Sequence, residues 1–326
     1  MQHLQNKIKE EIGKLSSEFS IPPAELYEPA RYMLDLGGKR IRPLFVLLAC
    51  DLFNGKIEDA MDAALSTELF HNFTLVHDDI MDNAPLRRNQ PTVHQKWNTS
   101  TAILSGDVML VKAYQLICKS KMAETILPIF NTMAAKVCEG QQWDLNYEQL
   151  HKISIAHYFK MIELKTAVLI AACLQIGARI GGASEADAKN LYEFGKNIGL
   201  AFQLQDDLLD VYGNEEKFGK QRGGDIISNK KTFLLLKTMD IVSASTYKKE
   251  ELQQWLSIQP TNENDIKEKI AAVKNIYDFA HVKEITEQEI RLHHHKAIRS
   301  LDSISVSKEK KESLINFTTS LLNREA

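Results

Sequence analysis

Glycine and proline are scarce, at 15 and 8 among 326 residues. Folds made of many tight turns lean on both residues, so a turn-rich β architecture is excluded. No stretch alternates apolar and polar residues between turn dipeptides, which removes the ordinary signature of strands. No run approaches the ~20 consecutive apolar residues of a membrane span, and none is expected to cross a membrane. Met1 to Glu10 is polar and charged where a secretory signal would be apolar, so a cytoplasmic protein is expected. Cysteine is limited to Cys50, Cys118, Cys138 and Cys173. Their wide spacing excludes a zinc ribbon or a disulfide framework and predicts small core residues. An excess of one charge is missing too: 43 acidic against 40 basic residues leave a formal charge of −3. That argues against a nucleic-acid partner and leaves room for a local basic pocket. With 44% hydrophobic residues the chain has ample apolar surface to bury, which excludes disorder.

What is present is helical periodicity. Asp59 to Asp82, Thr99 to Lys119, Ser154 to Gly177, Ser184 to Val211 and Ile285 to Leu301 space their apolar residues three and four apart. Ser184 ahead of Glu185 and Asp187, and Asn262 with Asn264 ahead of Asp265 to Phe279, read as helix starts. No repeat, low-complexity linker or composition shift marks a boundary. The expectation is one all-α domain over residues 1–326, a single large bundle of more than ten helices. Lys165 to Ile176 and Ile198 to Leu209 are apolar around most of their circumference, as helices at the centre of a bundle are.

Charged groups on a central helix are costly unless paired or metal-bound. Asp78, Asp79 and Asp82 nevertheless form DDIMD at the end of one apolar helix, and Asp206, Asp207 and Asp210 form DDLLD at the end of another. The first and last aspartate of each set lie four residues apart, one turn along the same face. Such pairs repel each other and oppose the helix dipole. A divalent cation removes that penalty, and Mg²⁺ takes carboxylate oxygens while keeping positions for water and phosphate. One DDxxD alone reads as a solvated helix end; two on apolar helices point to metal.

Cations accompany the aspartates. Gly37 to Pro43 reads GGKRIRP, a break with Lys39, Arg40 and Arg42 beside two glycines. Arg87 and Arg88 follow DDIMD, and Lys220, Lys230 and Lys231 follow DDLLD. Arginine forks and lysine point charges converging on a phosphate, next to metal-holding carboxylates, make a metal–diphosphate site.

These motifs resemble the all-trans isoprenyl diphosphate synthases, which include the farnesyl and geranylgeranyl diphosphate synthases. The likeness runs from about Tyr32 to about Leu236. It takes in GGKRIRP, DDIMD with Leu86 to Arg88, GDVML (Gly106 to Leu110), EGQQWD (Glu139 to Asp144), ELKTA (Glu163 to Ala167), FQLQDDLLD (Phe202 to Asp210) and GKQRGGDIISNKKT (Gly219 to Thr232). The resemblance implies an all-α isoprenoid synthase fold around a deep central cavity, and a homodimer. It implies head-to-tail condensation of isopentenyl diphosphate with an allylic diphosphate (dimethylallyl, geranyl or farnesyl). By the same likeness Asp78, Asp82 and Asp206 are Mg²⁺ ligands, with Asp79, Asp207 and Asp210 supporting. Arg87, Lys165, Lys220 and Lys230 would hold the allylic diphosphate. Lys39, Arg42, His71 and Arg88 would hold isopentenyl diphosphate, and Thr166 and Gln203 would face the allylic cation.

Three other functions share parts of this pattern. A class I terpene cyclase carries DDxxD but replaces the second motif and needs no second substrate site. A head-to-head synthase has two aspartate motifs without GGKRIRP, and a non-catalytic partner subunit would have lost aspartates or arginines. The resemblance also implies that product length depends on Phe73 and Thr74, five and four residues before Asp78, because in the family the growing chain runs beside the helix that carries the first motif. The small Thr74 one turn below Asp78 lets a chain pass fifteen carbons while Phe73 limits it from the flank, giving a C20 product with C15 as the alternative. The run His293 to His295 is expected to be a solvated patch.

Overall fold

The computed structural model describes residues 1–150, 152–213 and 223–322. Most of them are helical. The helices are α1 (Gln2–Glu18), α2 (Ala24–Asp35), α3 (Ile41–Leu52), α4 (Ile57–Met81), α5 (Val93–Lys96), α6 (Thr99–Lys119), α7 (Ala123–Gln149) and α8 (Ile155–Ile162). A π-helical turn (Glu163–Ala167) leads into α9 (Val168–Ile180) and α10 (Glu185–Tyr212), followed by α11 (Gly224–Ile227), α12 (Phe233–Val242) and α13 (Thr246–Ser257). The chain ends with α14 (Glu263–Phe279), α15 (Val282–Asp302) and α16 (Lys308–Leu322). Four of the five periodic segments form a single helix each, and both caps form. Ser184 Oγ accepts from the Asp187 amide at 3.0 Å, and Asn262 Oδ1 from the amides of Asn264 and Asp265 at 2.9 and 3.0 Å. Asn264 therefore lies inside its helix rather than ahead of it.

Two features depart from the sequence reading. The segment expected as one helix from Ser154 is interrupted by the π turn at Glu163–Ala167. A small antiparallel ribbon pairs Leu86–Arg87 with Gln90–Pro91. Its turn residues Arg88 and Asn89 both have positive φ, 53° and 61°, as a type I′ hairpin requires. Strands of two residues are too short to show any alternation.

The chain forms two compact units, each from non-contiguous segments. The first comprises Met1–Met133, Leu169–Tyr192 and Leu301–Ile315. At its centre is α3, whose Leu44, Phe45, Val46 and Leu47 are fully buried on every side. A Cβ on Gly177 would lie 2.1 Å from the Val46 carbonyl oxygen, so α9 crosses α3 backbone to backbone. The second unit comprises Ala134–Val168, Glu193–Ser300 and the residues from Asn316. Its core includes Ile198, Ala201 and Leu204 of α10, all fully buried.

By length and composition alone Thr99–Lys119 and Ile155–Ile180 could each cross a membrane; the apolar stretch of the second is 78% buried in the protein, as in a core helix. Cys50 and Cys173 are buried as expected, whereas Cys118 and Cys138 are exposed on the outer faces of α6 and α7. The histidine run is not a uniform solvated patch. His293 is buried, with Nδ1 2.9 Å from Asn197 Oδ1 and its ring 5.5 Å from that of Phe159. Successive helical residues face different directions, so His294 is half-buried and His295 exposed.

Candidate active site

In the first unit α4 ends where DDIMD ends, with Met81 its last residue and Asp82 its C-cap. The middle aspartate is used internally. Asp79, 1% exposed, accepts from Arg87 Nε at 2.9 and 2.8 Å, and its Oδ1 lies 2.7 Å from Arg87 Nη2. Burial pushes the Asp79 carboxyl above its ordinary value while Arg87 pulls it down. Asp78 is half-buried, with Oδ2 3.8 Å from Arg87 Nη2, and Asp82 is exposed. The ribbon after α4 is what returns Arg87 to the helix end.

The same ribbon brings Arg88 to the glycine pair. Arg88 Nη1 donates to the Gly37 carbonyl, and a Cβ on Gly38 would lie 2.8–3.0 Å from the guanidinium atoms. Gly37 and Gly38 have φ of 78° and 122°, so the GG step supplies both the dihedrals and the space. Lys39 is exposed at the tip of this loop and Arg42 half-buried in the first turn of α3. His71 sits on α4 among these cations. Burial first, then the charges of Arg42, Arg88, Arg87 and Arg40, push its imidazole well below the ordinary value and leave it neutral. GGKRIRP, His71 and the Arg87–Arg88 ribbon, remote in sequence, thus form one cationic cluster.

The second unit holds the other motif. Asp207, again the middle aspartate, is buried. It accepts from Tyr158 Oη at 2.6 Å and from Gln203 Nε2 at 2.9 Å, and Gln203 Oε1 accepts from Thr166 Oγ1 at 3.0 Å. Burial and the nearby Asp225 push its carboxyl up to about 7, against Tyr158, Lys230 and Gln203. Asp206 and Asp210 are half-buried, and Asp210 Oδ2 accepts from the Asp225 amide at 3.1 Å. Lys230 is exposed, its amide bonded to the Asp225 carbonyl at 2.8 Å. Lys220 lies outside the described residues.

Lys165 and Thr166 are both carried by the π turn, a distortion common at functional sites. Two glycines hold it. A Cβ on Gly140 of α7 would lie 2.2 Å from the Lys165 amide nitrogen, and one on Gly199 of α10 would lie 2.5 Å from Ala167 Cα. Lys165 Nζ bonds Asp144 Oδ2 at 2.5 Å. Sequence reasoning gave no role to Tyr158, Asp144, Gly140 or Gly199. Asp144 and Gly140 stood in EGQQWD, so the signal was present without a partner to explain it. Nothing local marked Tyr158.

The donors suit a hard cation. Both motifs offer carboxylate oxygens only, and in each the middle residue is occupied by protein donors. Among the described residues no three His, Cys, Asp or Glu side chains gather as a ready-made cage. Mg²⁺ is commonly held in this way, by one or two carboxylates with water and substrate phosphate completing the shell.

A family profile described as polyprenyl synthetase matches residues 23–273. The chain is 40% identical over 222 residues to the geranylgeranyl diphosphate synthase of Methanosarcina mazei, covering 67% of this chain and 68% of that protein. A crystal structure of a geranylgeranyl pyrophosphate synthase superposes with a TM-score of 0.93 at 40% identity, covering 100% of this chain and 99% of the other. The geranylgeranyl pyrophosphate synthase of Corynebacterium glutamicum, complexed with isoprenyl diphosphate and magnesium, gives 0.85 at 26% identity, covering 99% and 98%. With every motif of the site inside the matched region, the chain belongs to the polyprenyl synthetase family of prenyltransferases.

Proposed function

We propose that this protein condenses isopentenyl diphosphate head-to-tail with an allylic diphosphate, with Mg²⁺ as cofactor, and releases the C20 product geranylgeranyl diphosphate. The observation that carries the reading is the shared division of labour in the two aspartate motifs. Asp79 is engaged by Arg87 and Asp207 by Tyr158 and Gln203, each as the middle carboxylate of its motif, and the outer Asp78, Asp82 and Asp206 are assigned as cation ligands. Bound Mg²⁺ stabilises the negative charge that develops on the leaving diphosphate.

The protein's own groups do the rest. Arg87, Lys165, Lys220 and Lys230 bind the allylic diphosphate, and Lys39, Arg42, His71 and Arg88 bind isopentenyl diphosphate. Thr166 and Gln203 turn oxygen dipoles toward the allylic carbon as its C1–O bond breaks. The isopentenyl double bond attacks that carbon, and the departing diphosphate takes the proton whose loss restores an alkene. The apolar lining of the surrounding helices keeps water from the cation.

In this proposal residues 1–326 are one all-α polyprenyl synthase domain. A homodimer is supported by the exposed apolar Leu104 and Val111, 58% and 54% accessible and one heptad apart on α6. Four unbridged cysteines suit a reducing cytoplasm. The test is an assay with radiolabelled isopentenyl diphosphate and dimethylallyl, geranyl or farnesyl diphosphate, followed by chromatography of the products. A Mg²⁺-dependent C20 product, abolished by chelation and reduced by orders of magnitude in Asp78→Ala and Asp206→Ala, is expected. Absence of condensation would overturn the reading, and a C15 product would overturn the length alone.

A further inference from the structure

Arg40 stands in the middle of GGKRIRP yet points inward. It is the N-cap of α3, with φ 47° and ψ 45°, a left-handed conformation that costs a residue bearing a Cβ. The side chain is only 13% exposed. Its Nη1 donates to Glu68 Oε1 at 2.5 Å and its Nη2 to the Leu34 carbonyl at the end of α2. Glu68, on α4, is 3% exposed, and the same Oε1 accepts from Asn72 Nδ2 at 3.0 Å. Asn72 Nδ2 also bonds the Glu68 carbonyl at 2.8 Å, so the acid is held by its own helix as well as by the arginine.

The pair occupies a telling place. Glu68 lies three residues before His71 on α4, and Arg40 lies between Lys39 and Arg42. Arg88 is acted on by Arg40, Arg87 and Arg42, all repulsive, and by Glu68, which is attractive. A strained backbone conformation persists where its surroundings over-determine it, and here a buried ion pair and a helix-end carbonyl do so.

We propose that Glu68 is a positioning residue for isopentenyl diphosphate: by anchoring Arg40 it fixes the turn from which Lys39 and Arg42 address the phosphates. The inference rests on the subsite assignment made above. It predicts a defect confined to one substrate, because Arg87 and Asp79 pair independently of Glu68.

The experiment compares wild type, Glu68→Gln and the double variant Arg40→Gln/Glu68→Gln by steady-state kinetics, varying each substrate with the other saturating. In Glu68→Gln, KM for isopentenyl diphosphate should rise about tenfold or more, in the range of one lost charge-assisted bond. The kcat and the KM for the allylic substrate should stay within about twofold, a split that general destabilisation would not produce. The double variant leaves no unpaired buried charge, so it folds even if the single variant does not, and it should show the same selective rise. An isopentenyl KM within about twofold of wild type in whichever variant folds, or equal rises for both substrates, overturns the proposal. A wild-type protein that forms no condensation product overturns the functional reading, and the proposal with it.

Discussion

Thr166 Oγ1 donates to Gln203 Oε1 across 3.0 Å, and the other end of the same amide donates to Asp207 at 2.9 Å. The Gln203 side chain is therefore fixed at both ends, with its oxygen on the Thr166 side. Tyr158, fully buried, closes the chain from behind by donating to the second oxygen of Asp207 at 2.6 Å. The residues proposed to face the allylic cation thus depend on a tyrosine that has no part in the chemistry.

That dependence predicts the behaviour of Tyr158→Phe. The substitution removes one donor from a buried carboxylate and little volume. Loss of a hydrogen bond to a charged group costs about 1.5–3 kcal/mol. With Asp207 less firmly held, Gln203 loses its fixed orientation, and kcat should fall about tenfold or more while KM for isopentenyl diphosphate stays put. Unchanged kcat would show that Thr166 alone orients the amide.

The π turn yields a second prediction. Gly140→Ala would place a Cβ 2.2 Å from the Lys165 amide nitrogen and 2.6 Å from the Leu164 carbonyl carbon, both backbone atoms. Either α7 or the turn must shift, and displacement of positioning groups by about 1 Å can cost roughly a hundredfold in rate. Overpacking should also lower stability by about 1–3 kcal/mol. Gly13→Ala, where no atom beyond the neighbouring backbone of its own helix lies within 4 Å of the new Cβ, is the control and should keep full activity. Equal activity in the two variants would mean that the turn is not clamped.

Much of this site was legible because its chemistry needs charge where burial forbids it. Aspartates on apolar helices stand out in any sequence, and the expected helices formed with both caps. What stayed hidden depends on contacts between remote residues. The Asp79–Arg87 pair needs a ribbon whose strands are two residues long, and Arg40 reads as one more phosphate-binding cation until Glu68 is seen beside it. The π turn has no period of its own to detect. His293 was misread because a polar run suggests solvent, whereas one residue of three on a helix still faces inward.

His293 gives a pH prediction. Burial, with Lys296 adding to it, pushes its imidazole down to about 4. The unfolded chain binds a proton near pH 6.5 that the folded protein refuses, so this residue leaves stability intact above about 6.5 and erodes it as pH falls toward 4. The loss should reach about 2 kcal/mol at pH 5. His293→Gln keeps a partner for Asn197 without the titration. Denaturant unfolding at pH 7 and pH 5 should show the variant losing about 2 kcal/mol less than wild type between the two. Parallel losses would place the acid sensitivity elsewhere.

Product length is the remaining prediction, and it concerns the helix that carries DDIMD. Phe73 is 8% exposed, with its ring centroid 4.8 Å from that of His77 and 5.6 Å from that of Phe70. Phe70 in turn meets Phe130 at 5.5 Å, and Phe130 meets Tyr114 at 5.1 Å. Behind the aspartates the first unit therefore carries a file of aromatic rings, a wall that yields only if a ring is removed. Thr74 is half-buried and turns its hydroxyl back to the His71 carbonyl at 2.7 Å, so it adds little bulk to the face below Asp78. Thr74→Phe should fill that face and shorten the product to C15. Phe73→Ala should open the flank and lengthen the product by at least one C5 unit, at a stability cost of about 3–5 kcal/mol. Chromatography of the products made with dimethylallyl diphosphate as primer separates the outcomes, since chain length is read independently of how much protein stays folded. If both variants give the wild-type distribution, Phe73 and Thr74 do not set the floor, and the deeper rings of Phe70, Phe130 and Tyr114 become the next substitutions to make.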